Sequence, residues 1–501
     1  MMIAAYPPRS GGYVLYILLI FVSLKEKVMT THISVIEAVA MMPQLAFDAP
    51  INIDVSHGAT MAIIGPNGAG KTILSRLLSK KIPLKTGSVK IDGVDARYND
   101  IITLSFRDIY SPAQLRDMYY QQRFNSFNSD EAPTVAEVLK GYDDKLYGKY
   151  ARVCGIEDMM DKRTIALSSG QTRKLHIFRS IIENPKVLII ENPFIGLDSL
   201  SREQVGEMLS FLPTMGTTCI YVVCDVKDIP DDVDYVLPIK DRHIFPMQKK
   251  EDFLLDENLI KTLFPSSTSK KLSFPSPLYE AGDYDNAIVM KDVKISYGGR
   301  YILKDVNWTV KVGEKWSLTG RNGSGKSTLL SLVCGDNPQA YANDITLFDR
   351  RRGTGESIWD IKKRIGYVSP EMHTCYMEDI RCIDVVASGI YDTIGLFRRP
   401  TAEHLSMARE WLEVFGVGYI AEKSFIVSSF GEQRLVLLVR AFVKNPQLLI
   451  LDEPFHGLDS SCKSRVQDII EAFCAQKNKT LIMVSHYERD IPHCVTLHKH
   501  L

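Results

Sequence analysis

The chain has 501 residues, with 60 Lys+Arg against 60 Asp+Glu, so its formal net charge at pH 7 is zero. A hydrophobic fraction of 45% with 24% charged residues excludes a largely disordered chain, and the even balance argues against attachment to nucleic acid by bulk charge. At roughly 100–200 residues per domain the length allows two to four domains. Nine cysteines without a CxxC pair fit reduced thiols better than a disulfide framework or a zinc site.

The first feature in chain order is the apolar run YVLYILLIFV, Tyr13–Val22, which continues to Leu24 and stops at Lys25-Glu26-Lys27. Tyr13 to Leu24 is 12 residues, short of the ~17–25 that a membrane-crossing helix needs. No small-x-small cleavage site follows it. Residues 1–28 are therefore read as a leader or a mispredicted extension ahead of Met29. No other segment could span a bilayer, so a membrane role would require a partner chain.

From about residue 30 the chain is one unit written twice. The first half carries Gly65-Pro66-Asn67-Gly68-Ala69-Gly70-Lys71-Thr72, the second Gly320-Arg321-Asn322-Gly323-Ser324-Gly325-Lys326-Ser327, each after a short apolar run and before a helical pattern. This is the strand–loop–helix setting of a G-x-x-x-x-G-K-[ST] phosphate-binding loop. Gly170 lies 21 residues before Glu191, as Gly431 lies 21 before Asp452; Glu191 lies seven before Asp198, as Asp452 lies seven before Asp459. Ile33 and Ile288, which open the first expected strands, each lie 38 residues ahead of the loop lysine. Domains are expected at 29–248 and 286–501, joined by a linker over 249–285 that is rich in Ser, Pro and charge. Runs such as VLII, CIYVV, LLILD and TLIMV alternate with helical patterns, which predicts α/β domains with mostly parallel central sheets. Ligands should lie at the carboxyl ends of those strands.

Other motifs stand in the same order: LSSGQ at Leu167–Gln171, LLILDEP at Leu448–Pro454, HGLD at His456–Asp459 and VSH ending at His486. With the phosphate loops, they make both halves resemble nucleotide-binding domains of the ATP-binding cassette (ABC) superfamily, two tandem P-loop NTPase domains. Asn343–Ser369 (NDITLFDRRRGTGESIWDIKKRIGYVS) resembles the tandem-cassette ModF/PhrA family, whose names speak of molybdate transport and photorepair. The resemblance implies an ATP hydrolase that uses ATP and Mg2+. It also implies head-to-tail pairing, in which each site joins one domain's phosphate loop to the other's signature motif.

On that reading the second domain is complete. Backbone N–H groups from Asn322 to Ser327 at a helix N-terminus would cradle the phosphates, with Gly320, Gly323, Gly325 and Thr328 in the same nucleotide-binding set. Lys326 would neutralise phosphate oxygens, Ser327 and Asp452 would hold Mg2+, and Glu453 would orient or deprotonate the attacking water. The resemblance makes His486 the switch residue that senses the γ-phosphate and Tyr297 the aromatic that stacks on adenine. Its partner signature would be Ser168-Ser169-Gly170-Gln171.

The first domain departs from this pattern. Gly65, Asn67, Gly68, Gly70, Lys71 and Thr72 keep the nucleotide-binding loop, with Thr72 and Glu191 as the metal positions. Asn192, however, stands where Glu453 stands in the second half and cannot take a proton at neutral pH. The switch position falls on Cys224 or Asp225, and Phe47 is a poor substitute for Tyr297. The facing signature is Ser428-Ser429-Phe430-Gly431-Glu432, with Phe430 in place of a usual glycine. One hydrolytic site and one degenerate site are therefore expected. The residue that couples a site to a partner has no clear position: Pro370 and Glu371 occupy it in the second half, Gln121 or Gln122 serve loosely in the first.

The expected role is to energise a transporter, for an oxyanion such as molybdate as the family names imply. The protein would be cytoplasmic, peripheral at the inner face of the membrane, and bound to a separate permease chain. The alternatives are an ABC ATPase acting on a nucleic-acid or ribosomal partner, and a slow nucleotide-gated regulator. The basic cluster Arg350-Arg351-Arg352 with Lys362-Lys363-Arg364 reads first as a solvated face and second as a contact for phosphate or a partner. Cys154, Cys219 and Cys334 read as small core residues.

Overall fold

A computed structural model of the chain describes residues 31–105, 133–265 and 272–501, apart from 141, 154, 165, 166, 168, 279–281, 298, 322, 371, 377 and 486. In each half the apolar runs become a parallel sheet of one topology. In the first half the order is Ile101–Leu104, Val187–Glu191, Thr218–Val223, Met61–Ile64, Tyr235–Lys240, with two short antiparallel strands, His243–Ile244 and Gln248–Lys249, added at the last. In the second it is Ile365–Val368, Leu448–Asp452, Thr480–Val484, Lys315–Thr319, Leu497–His500. Strands such as Leu448–Asp452 and Thr480–Val484 are buried at every residue, because helices cover both faces; this is why they read as unbroken apolar runs. The chain is α/β throughout, as expected.

Beside each parallel sheet lies a four-stranded antiparallel one. Its strand Ile51–Val55 alternates buried and exposed residues, the pattern of a sheet with one face toward water. Each parallel sheet ends its Met61–Ile64 or Lys315–Thr319 strand at a glycine loop that turns into a helix, Lys71–Leu78 or Lys326–Val333. The residues before those helices, Gly70 and Gly325, sit at φ 108° and 97°, a region that favours glycine; a Cβ on Gly325 would also lie 2.6 Å from Leu303 Cδ2.

The stretch read as a linker is more structured than its composition suggests. Lys250–Leu255 and Glu257–Leu263 are helices, and Phe253, Leu263 and Phe264 are buried in the first domain's core. At the far end Leu272, Phe274 and Leu278 pack on the second domain, where the Phe274 ring stacks on Trp411 at 5.4 Å. Apolar residues spaced among prolines and serines anchor both ends.

Among the described residues no helix is long and apolar enough to cross a membrane. The apolar run Tyr13–Val22, with the rest of residues 1–28, lies outside the described residues.

Candidate nucleotide sites between the two domains

The two phosphate loops share one geometry. Lys71 Nζ donates to the carbonyls of Gly65 (2.7 Å) and Pro66 (2.8 Å), and Lys326 Nζ to those of Gly320 (2.7 Å) and Arg321 (3.0 Å). Burial lowers the pKa of both lysines; nearby carboxylates oppose that shift, Asp452 and Glu453 at Lys326, Asp459 and Glu191 at Lys71. A buried ammonium held by loop carbonyls suits an incoming polyphosphate, which would supply the missing charge. The metal positions fit as well: Ser327 Oγ donates to Asp452 Oδ2 at 3.5 Å, which places a hydroxyl and a carboxylate side by side where Mg2+ would need both. In the first half Glu191 ends the matching strand, pairs in register with Val222, and lies close enough to act on Lys71.

Strand register decides which residue of the first domain stands at the switch position. Ile63 pairs with Val222 and Leu318 with Val484, so the residue two places on is Cys224 in the first half and His486 in the second. Cys224 is therefore the equivalent, and Asp225 matches Tyr487. Burial pushes the Cys224 thiol up to about 12, opposed by Lys71, so it is a neutral donor at physiological pH. It donates to Asn192 Oδ1 at 3.7 Å. The first site thus holds a neutral Cys–Asn pair where an acid–base pair is expected. His486, Asn322 and Ser168 lie outside the described residues, as do Gln121, Gln122, Glu371 and Cys154.

Asn192 and Glu453 both adopt a left-handed backbone, φ 46° and 48°. The same device holds each turn. Arg173 donates from Nε to the Pro193 carbonyl at 3.2 Å and from a terminal nitrogen to those of Glu191 and Asn192. Arg434 does the same with Pro454, Asp452 and Glu453, and adds the Ser369 carbonyl at 2.9 Å. Each arginine is fully buried and stands three residues after its signature glycine, Gly170 or Gly431. Sequence reading missed both; extending the repeat by three residues finds them.

The domains meet head to tail around the Lys71 loop. The Asn67 N–H donates to Asp459 Oδ2 at 2.9 Å, and a Cβ on Gly431 would fall 2.1 Å from the Asn67 carboxamide. Asp459 also caps the helix Ser460–Cys474 through the Cys462 N–H. The first domain's loop therefore rests on the second domain's signature glycine. Ser429 caps the signature helix Phe430–Phe442 through a reciprocal pair with Glu432. The Glu432 carboxylate accepts from Tyr419 and Lys423; burial alone would raise its pKa, but Lys423 and Ser429 outweigh that and hold it low. A Cβ on Gly68 would lie 3.6 Å from that carboxylate. Phe430 turns into its own domain, against Gly457 and stacked on His373 at 4.5 Å.

Around Lys326, Asp198 of the first domain is near enough to raise the lysine's pKa. Ser169 begins the helix Ser169–Ile182, with Gly170 buried against Ser201 and Gln171 in the first turn. Tyr487 donates to the Leu197 carbonyl at 3.4 Å, and Arg202 donates to Tyr487 Oη at 3.4 Å. Lys463 and Asp225 hold the equivalent positions on the other side and form an ion pair at 2.8 Å, largely buried. Tyr297 is anchored within its own domain: its hydroxyl accepts from Asn337 Nδ2 at 3.0 Å and its ring packs on the core. Phe47 lies against Gly70 of the phosphate loop. Thr72 and Thr328 fall in the first turns of the loop helices.

The basic cluster is solvated in part: Arg350, Arg351 and Lys363 are exposed, while the other three are engaged within the domain. Arg352 and Glu356 form a pair at 2.8 Å with both side chains almost wholly buried, Lys362 pairs with Asp336 at 2.7 Å, and Arg364 lies over the Phe348 ring. Cys219 and Cys334 are buried, as expected of small core residues.

Paired glycine loops at the strand ends, with a signature helix brought to the opposite loop, define a tandem ATP-binding cassette protein. The chain matches the ABC transporter family over residues 49–195 and 303–456, and belongs to it. It is 35% identical over 466 residues to the ABC transporter ATP-binding protein ModF of Escherichia coli (strain K12), covering 91% of this chain and 92% of that protein. It is 30% identical over 467 residues to an uncharacterized ABC transporter ATP-binding protein of Schizosaccharomyces pombe (strain 972 / ATCC 24843), covering 90% and 94%. Among solved structures, the archaeal ribosome recycling factor aABCE1, in complex with the ribosomal stalk protein aP1, is similar with a TM-score of 0.51 at 16% identity, covering 90% of this chain and 84% of that one. At that identity the likeness is one of fold.

Proposed function

We propose that the chain is an ABC ATPase with one hydrolytic site and one nucleotide-holding site, and that it energises a transporter whose membrane-spanning part is a separate chain. The observation that carries the reading is the contrast at one backbone position: Glu453 follows Asp452 at φ 48°, and Asn192 follows Glu191 at φ 46°. Two turns of the same shape present a carboxylate in one site and an amide in the other. In the second site Lys326 and the loop N–H groups would bind the phosphates, Ser327 and Asp452 would hold the metal, and Glu453 would take the proton of the attacking water. That water's oxygen bonds to the γ-phosphorus as the bridging P–O bond breaks, its electrons leaving with ADP. Bound Mg2+ would supply charge neutralisation at the β- and γ-phosphates. His486 would sense the γ-phosphate, and Tyr297 would support the adenine.

The oxyanion class of cargo, molybdate included, rests on the resemblance to the ModF/PhrA proteins. Substituting Glu453→Gln should lower ATP turnover by ~10²–10⁴ while nucleotide binding persists. Capturing that variant with ATP should bring down a membrane protein; recovery of ribosomal particles or nucleic acid instead would overturn the transporter reading, and unchanged turnover would overturn the site assignment.

A further inference from the structure

Next to Glu453 stands the side chain that opens the HGLD motif. His456 lies three residues on, in the turn that leads to Gly457, and its Nε2 is 3.1 Å from Glu453 Oε2. Both side chains are close to fully buried, at 11% and 8% exposure. At that distance the buried imidazole edge lies against the carboxylate and limits the directions in which it can point. The turn is repeated in the first domain, where the Ile195 N–H donates to the Asn192 carbonyl as the His456 N–H donates to that of Glu453. The equivalent of the Glu–His pair is therefore Asn192 with Ile195, an amide beside an aliphatic side chain. Two positions change together between the halves, and each change removes one side of the same contact.

We propose that His456 is a positioning residue for hydrolysis at the second site, acting through Glu453. This rests on the reading of Glu453 as the group that receives the proton from water. Glu453 sits on a left-handed backbone at the end of a strand, and its carboxylate must be held toward the γ-phosphate with little freedom for proton transfer to occur. The Arg434 clamp fixes the backbone carbonyl of Glu453, and His456 limits the side chain. His456 also borders the cleft between the domains, with Tyr487 and Lys463 of its own domain and Asn192 and Cys224 of the other. The residue that aims the carboxylate therefore lies where closure of the two domains would be felt.

The test uses the full chain with His456→Ile, the residue carried by the other half, and His456→Gln, whose amide keeps a polar edge. Steady-state ATP hydrolysis and thermal unfolding are measured for both, alone and with Glu453→Gln. His456→Ile should lower kcat by about 10- to 100-fold with KM for ATP and Tm little changed. His456→Gln should recover most of that loss, and His456→Ile should add nothing to Glu453→Gln. An unchanged kcat in His456→Ile beside an inactive Glu453→Gln overturns the proposal alone, as do equal losses from Ile and Gln or a loss confined to Tm or KM. Full turnover in Glu453→Gln overturns the reading of Glu453, and the proposal with it.

Discussion

The Lys71 and Lys326 loops are nearly superimposable in what their lysines touch, yet their surroundings differ at each position where chemistry would occur. Around Lys71 stand Asn192, Ile195 and a neutral Cys224, faced by the carboxylate of Glu432. Around Lys326 stand Asp452, Glu453 and His456, with Asp198 reaching over from the first domain. The parts that shape the backbone are kept in both halves: the left-handed residue, the buried arginine, the aspartate cap after the turn. The carboxylate proposed to take the proton from water, and the histidine against it, are present in one. Loop architecture is thus shared where the residues proposed for the reaction are not, and the first site keeps its phosphate loop.

The broadest test of that contrast removes each loop lysine in turn. Lys326→Ala should reduce ATP turnover by about 100-fold or more, since a fixed charge on the transferring phosphoryl group is lost. Lys71→Ala should reduce it by less than about threefold while lowering the nucleotide bound per chain toward half. Equal losses would mean that both sites hydrolyse. A smaller effect is expected from restoring the missing carboxylate. Asn192→Glu meets no backbone obstacle, because Glu453 occupies the same φ, but Ile195 and Cys224 remain. Its turnover should stay within about twofold of the parent on a Glu453→Gln background, and a larger gain would show that the first site lacks only the carboxylate.

The contrast is partly legible in the sequence. Asn192 in place of Glu453 and Phe430 in place of glycine are differences of residue type at fixed spacing, and the repeat exposes them. The parallel sheets were legible because buried strands are continuous apolar runs. What stayed hidden depended on pairing across space. Whether Cys224 or Asp225 takes the switch position is settled by the register of Ile63 on Val222, which the loose spacing after the strand leaves open. The first part of the supposed linker folds because Phe253 and Leu263 find the first domain's core, whereas local composition reports only prolines and serines further along. Arg352 reads as surface charge until its partner Glu356, four residues on, is seen to be buried with it.

The next prediction concerns how the domains are held. Asp225–Lys463 and Tyr487–Arg202 are the two copies of one interdomain contact, but only the first is an ion pair. Burial alone would raise the Asp225 pKa; Lys463 and the Lys227 N–H outweigh it and hold the carboxyl below its ordinary value. Its contribution is therefore complete above the unfolded-state pKa and is lost as pH falls through the folded one. Asp225→Asn should cost about 1–3 kcal/mol at neutral pH, measured as a lower denaturant midpoint, and should flatten the acid side of the stability profile. Arg202 also pairs with Asp228 in its own domain, so Tyr487→Phe isolates the matching contact and should cost less. A larger loss from Tyr487→Phe would reverse the view that the first site's side of the interface is the more firmly fastened.

A gain is expected at Glu432, where the physical argument cuts against a simple loss of binding. Its carboxylate is held ionised beside Gly68, at the mouth of the loop that would receive the phosphates, and like charges at that range repel. Lys423 offsets part of the repulsion, but its side chain is 39% exposed and its charge is correspondingly screened. Glutamine keeps the reciprocal cap with Ser429, so the helix start should survive the change. Glu432→Gln, made with Lys326→Ala so that only the first site is read, should tighten ATP binding by about three- to tenfold in a fluorescent-nucleotide titration. The gain should be smaller for ADP, which lacks the phosphate nearest the signature helix. Weaker binding of both nucleotides would instead mean that the ionised Glu432 holds the signature motif in the shape the first site needs, through Tyr419 and Lys423.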